Sequence, residues 1–243
     1  MKQLFDSLQS VGGNFHVLEH QVPVDKQLEY FRFSEGVRKD MKNLGSEVDY
    51  EQYETKLRNS EIPVYEKEII LSLLASSKQV RAYRILERYA QEPDKELTNW
   101  AYMALMESRM LIESELSGQQ QAYISTGLGG KGDKLRFFIL ILSSKVTPFL
   151  DYQREIIEKE FVYGLQKNEC ETERLNIEDK YVELVILAPI LVNLKVMLDG
   201  IIRECNVYGD FLSEMFTVTN VKMLNKELIN RIVDSYGNIL AGR

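Results

Sequence analysis

Apolar residues recur at helical spacing from Pro63 onward. Ile69, Ile70, Leu73 and Leu74 predict a helix over Pro63–Ala75, with Pro63 at a first turn where a missing N–H removes no bond. Ser76-Ser77 reads as a turn and Lys78–Gln91 as a second helix, with Ala82, Tyr83, Ile85, Leu86, Tyr89 and Ala90 on one face. Pro93 and Asp94 open a third helix to about Ser117, whose main face carries Leu97, Trp100, Ala101, Ala104, Leu105, Leu111, Ile112 and Leu116. Upstream, the pattern predicts helices over Gln27–Leu44, capped by Asp25 and stopped by Gly45, and over Tyr50–Arg58. A short helix around Lys2–Gln9 precedes Gly12-Gly13.

The period changes after a glycine cluster: Gly127, Gly129, Gly130 and Gly132 are four of the chain's 14 glycines. Such a cluster predicts a domain boundary, with a helical domain over 1–122, a Gly-rich linker over 123–134 and a second domain over 135–243. Leu135–Leu142 is a short apolar, aromatic run of strand length. Thr147-Pro148 reads as a cap and first turn for a helix carrying Phe149, Leu150, Ile156, Ile157, Phe161, Val162 and Leu165. Glu171–Ile177 and Tyr181–Ile190, joined by Glu178-Asp179-Lys180, read as a hairpin. Leu194, Met197, Leu198, Ile201, Ile202 and Cys205 mark a helix, Met215–Val221 a strand, and Asn225 caps a last helix through Tyr236. The order βαββαβ is that of a ferredoxin-like domain, here with an extra C-terminal helix, and the expected fold class is α+β. That superfold hosts many unrelated functions.

The run Leu97-Thr98-Asn99-Trp100-Ala101-Tyr102-Met103-Ala104-Leu105, led by Asp94, resembles a HEAT-type helical repeat. An Asp or Pro turn there precedes a hydrophobic position and an A-x-x-A-L run, whose small residues let antiparallel helices approach. The resemblance covers about residues 63–117, two hairpins at most, whereas stable solenoids need about three repeats. It implies a helical surface for protein interaction rather than chemistry.

Composition narrows the function classes. The chain has 243 residues, 44% of them hydrophobic, so it can bury cores. The net charge of −7 is shared: 15 basic and 20 acidic residues in 1–122, 14 and 16 in 134–243. No basic domain exists, so general nucleic-acid binding is not expected. In the strand over Tyr181–Ile190, the segment VELVILAP also has no aromatic or basic residue at the place where RNA readers of this topology stack bases. The N-terminus has no apolar core of signal-peptide length, and the longest apolar run, Leu184–Val192, is far short of a membrane span. Cys170 and Cys205 have no CxxC or Cys/His neighbour. A cytoplasmic protein is expected, with no cofactor.

Four places are candidates for a site. Ser125, Thr126, Gly127, Gly129, Gly130 and Lys131 offer hydroxyls, freed amides and a cation for phosphate. The loop is no P-loop, because Lys131 is followed by Gly132 and the segment leads into a strand. His16-Val17-Leu18-Glu19-His20 matches the H-x-x-E-H zinc motif, but Gly12-Gly13 and Pro23 deny it the long helix it requires, and no metal site is assigned. Arg81, Arg84 and Arg88 form a basic stripe, which pairs with neighbouring acids or meets a partner. Met103, Met106 and Met110 form a second apolar stripe on the third helix, an adaptable surface for a partner. No Ser/His/Asp or Cys/His set assembles, since both histidines lie in the first 20 residues. The leading expectation is a non-enzymatic interaction or scaffold protein with a protein partner or a second copy; the alternative is a small-molecule or phosphate binder using 125–133.

Overall fold

A computed structural model describes residues 15–41, 49–119 and 121–242. The chain is mixed helix and sheet and divides into two compact units, Met1–Ser125 and Thr126–Arg243. No helix among the described residues is long and apolar enough to cross a membrane. The expected helix around 2–9 and the stop at Gly45 lie outside the described residues.

In the first unit, β1 (Phe15–Val17) is followed by α1 (Val24–Met41), α2 (Tyr50–Arg58), α3 (Val64–Ser76), α4 (Val80–Gln91), a 3₁₀ turn (Lys95–Leu97), α5 (Thr98–Ser117) and β2 (Ala122–Ile124). α5 packs on α3 and α4, burying Trp100, Ala101, Met103, Ala104 and Met106 against Ile70, Leu71, Leu74, Ile85 and Leu86. β1 and β2 pair in parallel, His16 opposite Tyr123. α5 starts later than the sequence pattern predicts because Asp94 is engaged elsewhere. Its Oδ2 receives Lys67 Nζ at 2.5 Å and the Tyr89 hydroxyl at 3.0 Å. Lys67 is buried, and an ammonium in an apolar core needs such a partner.

Burial of another charge ties α1 to α5. Glu107 is 2% exposed and receives Tyr30 Oη at 2.6 Å, Ser34 Oγ at 3.0 Å and Arg38 Nη1 at 2.7 Å. All three donors come from successive turns of α1, so one carboxylate fixes that helix's rotation against α5.

The second unit runs β3 (Gly130–Lys131), β4 (Lys134–Ser143), α6 (Asp151–Lys167), β5 (Glu171–Ile177), β6 (Tyr181–Pro189), α7 (Leu194–Asn206), β7 (Leu212–Thr219) and α8 (Lys226–Ala241). β4 lies between β7 and β6, and β5 pairs with β6 on its other side; all these pairings are antiparallel. Ile139 sits opposite both Leu184 and Val218. The continuous apolar run of β4 reflects burial on both faces. Ile139 and Ile141 face Ile157, Phe161, Leu198 and Ile202 of α6 and α7, whereas Phe138, Leu140 and Leu142 face Ile229 and Val233 of α8. β5 is exposed and charged through Glu171, Glu173 and Arg174, which protects that sheet edge.

The starts of α6 and β7 differ from the pattern for local reasons. α6 begins at Asp151 rather than at Thr147-Pro148, because Phe149 N donates to Asp179 O and Gln153 Oε1 caps Leu150 N. β7 begins at Leu212 because the Asn206 side chain bonds both the N–H and the carbonyl of that residue. It ends at Thr219, where Asn220 O turns to accept from Leu128 N.

Candidate functional site

The residues singled out in the sequence fall in different surroundings. Ser125 Oγ donates to Gln27 Oε1 at 2.7 Å, and Thr126 Oγ1 donates to Gly129 O at 3.1 Å. The amides of Leu128 and Gly129 donate to Asn220 O and Thr126 O, so two donors of the expected anion nest are occupied. Gly127 is needed for packing: a Cβ there would stand 1.8 Å from the Val221 carbonyl oxygen. Gly130 and Lys131 form one arm of a tight hairpin turned by Gly132 at φ +59°. Lys131 is exposed, 3.9 Å from Glu171.

Arg81 pairs with Glu51 at 2.8 Å, Arg84 with Glu87 at 2.6 Å, and Arg88 grips Glu54 with two hydrogen bonds of 3.0 and 2.8 Å. Met103 and Met106 are buried in the first unit's core, whereas Met110 is half-buried. His16 lies in a strand and His20 in a bend, which removes the helical i, i+4 geometry of the zinc motif. Among the described residues no three His, Cys, Asp or Glu side chains converge to hold a metal ion. Burial pushes the Cys205 thiol up to about 12 and raises Cys170 as well, so both are protonated at neutral pH.

Two concave places bring together residues that the sequence pattern did not group. The first lies on the second unit between α6 and α7, a groove of about 630 Å³ lined by Tyr163, Gly164, Leu191, Val192, Val196 and Met197, among others. The helices meet closely at Gly164, where a Cβ would come within 2.4 Å of Ile201 Cγ1. Tyr163, Leu191 and Val196 are 65, 63 and 63% exposed around the groove. Glu160, Glu204 and Lys167 also line it, and none forms an ion pair among the described residues. Exposed acids and bases are paired at many other positions of the chain, such as Lys195–Asp199 and Arg231–Glu227.

The second place is a pocket of about 200 Å³ in the first unit. Tyr83 of α4, Tyr102 and Arg109 of α5, Tyr123 of β2, and Glu19 and His20 after β1 line it with apolar neighbours. His20 and Tyr102 stack in parallel, centroids 3.6 Å apart and 2° from coplanar. Desolvation lowers the pKa of His20 against the opposing pull of Glu19, which keeps the imidazole neutral at pH 7. Arg109 Nε donates to Glu113 Oε1 at 2.7 Å. The Tyr123 hydroxyl is buried without a hydrogen-bond partner among the described residues, and its pKa is raised chiefly by desolvation. Glu113 Oε2 lies 3.0 Å from His16 Nε2, outside hydrogen-bond alignment. Glu19 and His20 drew notice in the sequence only through the zinc motif; their meeting with Tyr83, Tyr102, Arg109 and Tyr123 obeys no spacing rule.

No family model matches the chain, and no curated protein matches it. Among solved structures, one resembling it is a protein of Deinococcus radiodurans R1 described as a candidate transposase: TM-score 0.35, 15% identity, 43% of this chain and 90% of that one. A REP-associated tyrosine transposase bound to a REP hairpin gives TM-score 0.32, 10% identity, and coverage of 41% and 62%. The P2 domain of the chemotaxis kinase CheA with the response regulator CheY, from Thermotoga maritima, gives TM-score 0.25, 16% identity, and coverage of 36% and 99%. At these TM-scores the likenesses establish neither fold nor function.

Proposed function

We propose that the chain is a protein-interaction or scaffold protein whose second unit holds an amphipathic helix of a partner in the groove between α6 and α7. The observation that carries this reading is the coincidence, at one groove, of three large exposed apolar side chains with three charges that form no ion pair among the described residues. Exposed apolar residues clustered around a concavity mark docking sites more often than singly scattered ones. Apolar contact supplies most of the association energy, and the charges set orientation and partner choice. Glu160 and Glu204 call for a basic residue. Lys167 lies seven residues beyond Glu160, about 10 Å along α6 at helical rise, and calls for an acid about two turns away on the partner. A partner helix with apolar residues at i, i+3/i+4 and i+7 meets these demands.

The element order and the strand order β7-β4-β6-β5 support a ferredoxin-like reading of this unit, with α8 as the added helix. The pairwise packing of α3, α4 and α5 is what a HEAT-like hairpin pair requires. The phosphate-binding alternative draws less support, since two amides of the 125–133 loop are already committed.

A benzophenone amino acid at position 196, introduced in the native host, tests the reading. Cross-linking to one protein, at a segment with helical apolar spacing and a basic residue, supports it. Cross-links no more frequent than those from position 215, an exposed apolar residue on β7, refute it.

A further inference from the structure

The open edge of the second unit's sheet offers a surface that the α6–α7 groove does not use. Among the described residues β7 pairs with β4 alone, so its other edge presents backbone groups that no strand receives. Part of that edge is closed locally. The Asn206 side chain holds both backbone groups of Leu212, and Ser213 Oγ takes the N–H of Met215. Residues 216–219 stay open. The sheet's two edges differ in chemistry. β5 exposes Glu171, Glu173 and Arg174, whereas β7 has one charge in eight residues, Glu214. Charge is the common guard of a sheet edge, and the open stretch of β7 lacks it. Beside it, between β7 and α8, lies a recess of about 350 Å³, lined by Leu142, Met215, Thr217, Ile232 and Ile239 among others. Met215 and Ile239 are 62 and 52% exposed.

The backbone calls for a strand, and the side chains select which one. A single patch offers exposed apolar side chains and an apolar recess together, which is what a two-fold contact between identical surfaces requires. Opposed residues of an antiparallel pair share a face of the sheet, so two copies of β7 pair about one residue. Centring on Thr217 sets Phe216 beside Val218 of the second copy, Met215 beside Thr219, and Glu214 beside Asn220. The two Glu214 carboxylates stay apart, and no like charges oppose each other. Met215 of the second copy then lies diagonal to Thr217, within reach of the recess. The flanks carry both signs. Arg231 pairs with Glu227 on the α8 side, and Lys195, Asp199 and Arg203 line a hollow with Glu214 on the α7 side. Neither flank presents a field of one sign, so nothing repels a copy, and a strongly acidic or basic strand gains nothing there.

We infer that the chain forms a two-fold dimer in which β7 pairs antiparallel with β7 of a second copy, centred on Thr217, and the two sheets join into one.

Analytical ultracentrifugation of the full chain at about 100 µM, where a dimer of micromolar Kd is assembled, tests this. Thr217→Lys and Thr217→Glu each set like charges opposite one another and are expected to weaken the dimer about tenfold or more, and an equimolar mixture of the two is expected to restore it. Thr217→Cys is the gentler probe, so the test survives misfolding of the charged variants. With oxidised glutathione it is expected to give a disulfide-linked dimer, because opposed Cα atoms of an antiparallel ladder lie within disulfide reach, whereas Thr172→Cys on β5 is not. Cys170 and Cys205 are buried and do not compete. A monomeric wild type overturns the inference. So does a dimer indifferent to the charged variants, a mixture no more dimeric than its components, or a Thr217→Cys chain that links no better than the β5 control. In the cross-linking comparison, adducts of position 215 with a second copy report this interface and are set apart from adducts with other proteins, so failure here leaves the groove reading standing.

Discussion

Replacing Glu107 by alanine removes the one acceptor shared by Tyr30, Ser34 and Arg38. Two of those donors, Tyr30 and Ser34, are fully buried and have no route to water once the carboxylate is gone. Each stranded hydroxyl costs about 1–3 kcal/mol, and the vacated volume adds to that. Arg38 is partly exposed and recovers its solvation, so its loss adds little. The sum is about 4 kcal/mol, inside the range for breaking a buried charged network from one side. For a unit of this size that corresponds to a fall in Tm of about 15 °C. Trp100 makes the assay specific. It is the chain's single tryptophan, buried in the first unit with its ring centroid 5.5 Å from that of Tyr30, so its fluorescence follows this unit alone. A triple variant, Glu107→Leu with Tyr30→Phe and Ser34→Ala, removes donors and acceptor together and is expected to recover most of the loss. A Glu107→Ala penalty below about 1 kcal/mol, or a triple variant no better than the single one, refutes the account of this network.

The Lys67–Asp94 pair is expected to respond asymmetrically. Asp94→Ala strands a buried ammonium and costs about 3 kcal/mol, whereas Lys67→Met leaves a half-exposed carboxylate and costs about 1 kcal/mol or less; tryptophan-detected urea melts compare the two. Gly164→Ala forces a Cβ against Ile201 and is expected to destabilise the second unit by about 1–3 kcal/mol, read by hydrogen exchange of α6 and α7. Desolvation lowers His20's folded pKa below the unfolded value, so the unfolded chain takes the proton first. The resulting stability is complete above about pH 6.5 and declines as pH falls toward the folded pKa; a His20→Gln variant is expected to flatten that slope in Tm against pH.

Element types were legible wherever one face is apolar and one polar. The β5–β6 hairpin, α7 and the strand over β4 follow directly from spacing, because burial selects residues by period. Boundaries were less so, since they turn on single bonds that no pattern encodes, such as Asp94 bound to Lys67 or Asn206 bound to Leu212. The Met stripe illustrates a further limit. Residues 103 and 106 sit opposite the main apolar face on a helical wheel, yet α5 is enclosed by α1 as well as by α3 and α4, so that side is interior too. The glycine cluster reads alike as linker, nest or packing device; the proximity of Val221 to Gly127 distinguishes them only in three dimensions. Both concave sites stayed hidden because exposure of Tyr163 or Val196 is set by what fails to cover them, a property absent from local spacing.

The central claim is that the α6–α7 groove takes a partner helix by apolar contact and charge complementarity. The most direct measurement is calorimetric titration of the full chain with the segment captured at position 196, prepared as a synthetic peptide. The account expects binding that is lost in Val196→Glu, weakened about tenfold by Glu160→Lys with Glu204→Lys, and restored when the peptide's facing basic residue is exchanged for glutamate. Equal affinity for the wild type and for both variants contradicts it.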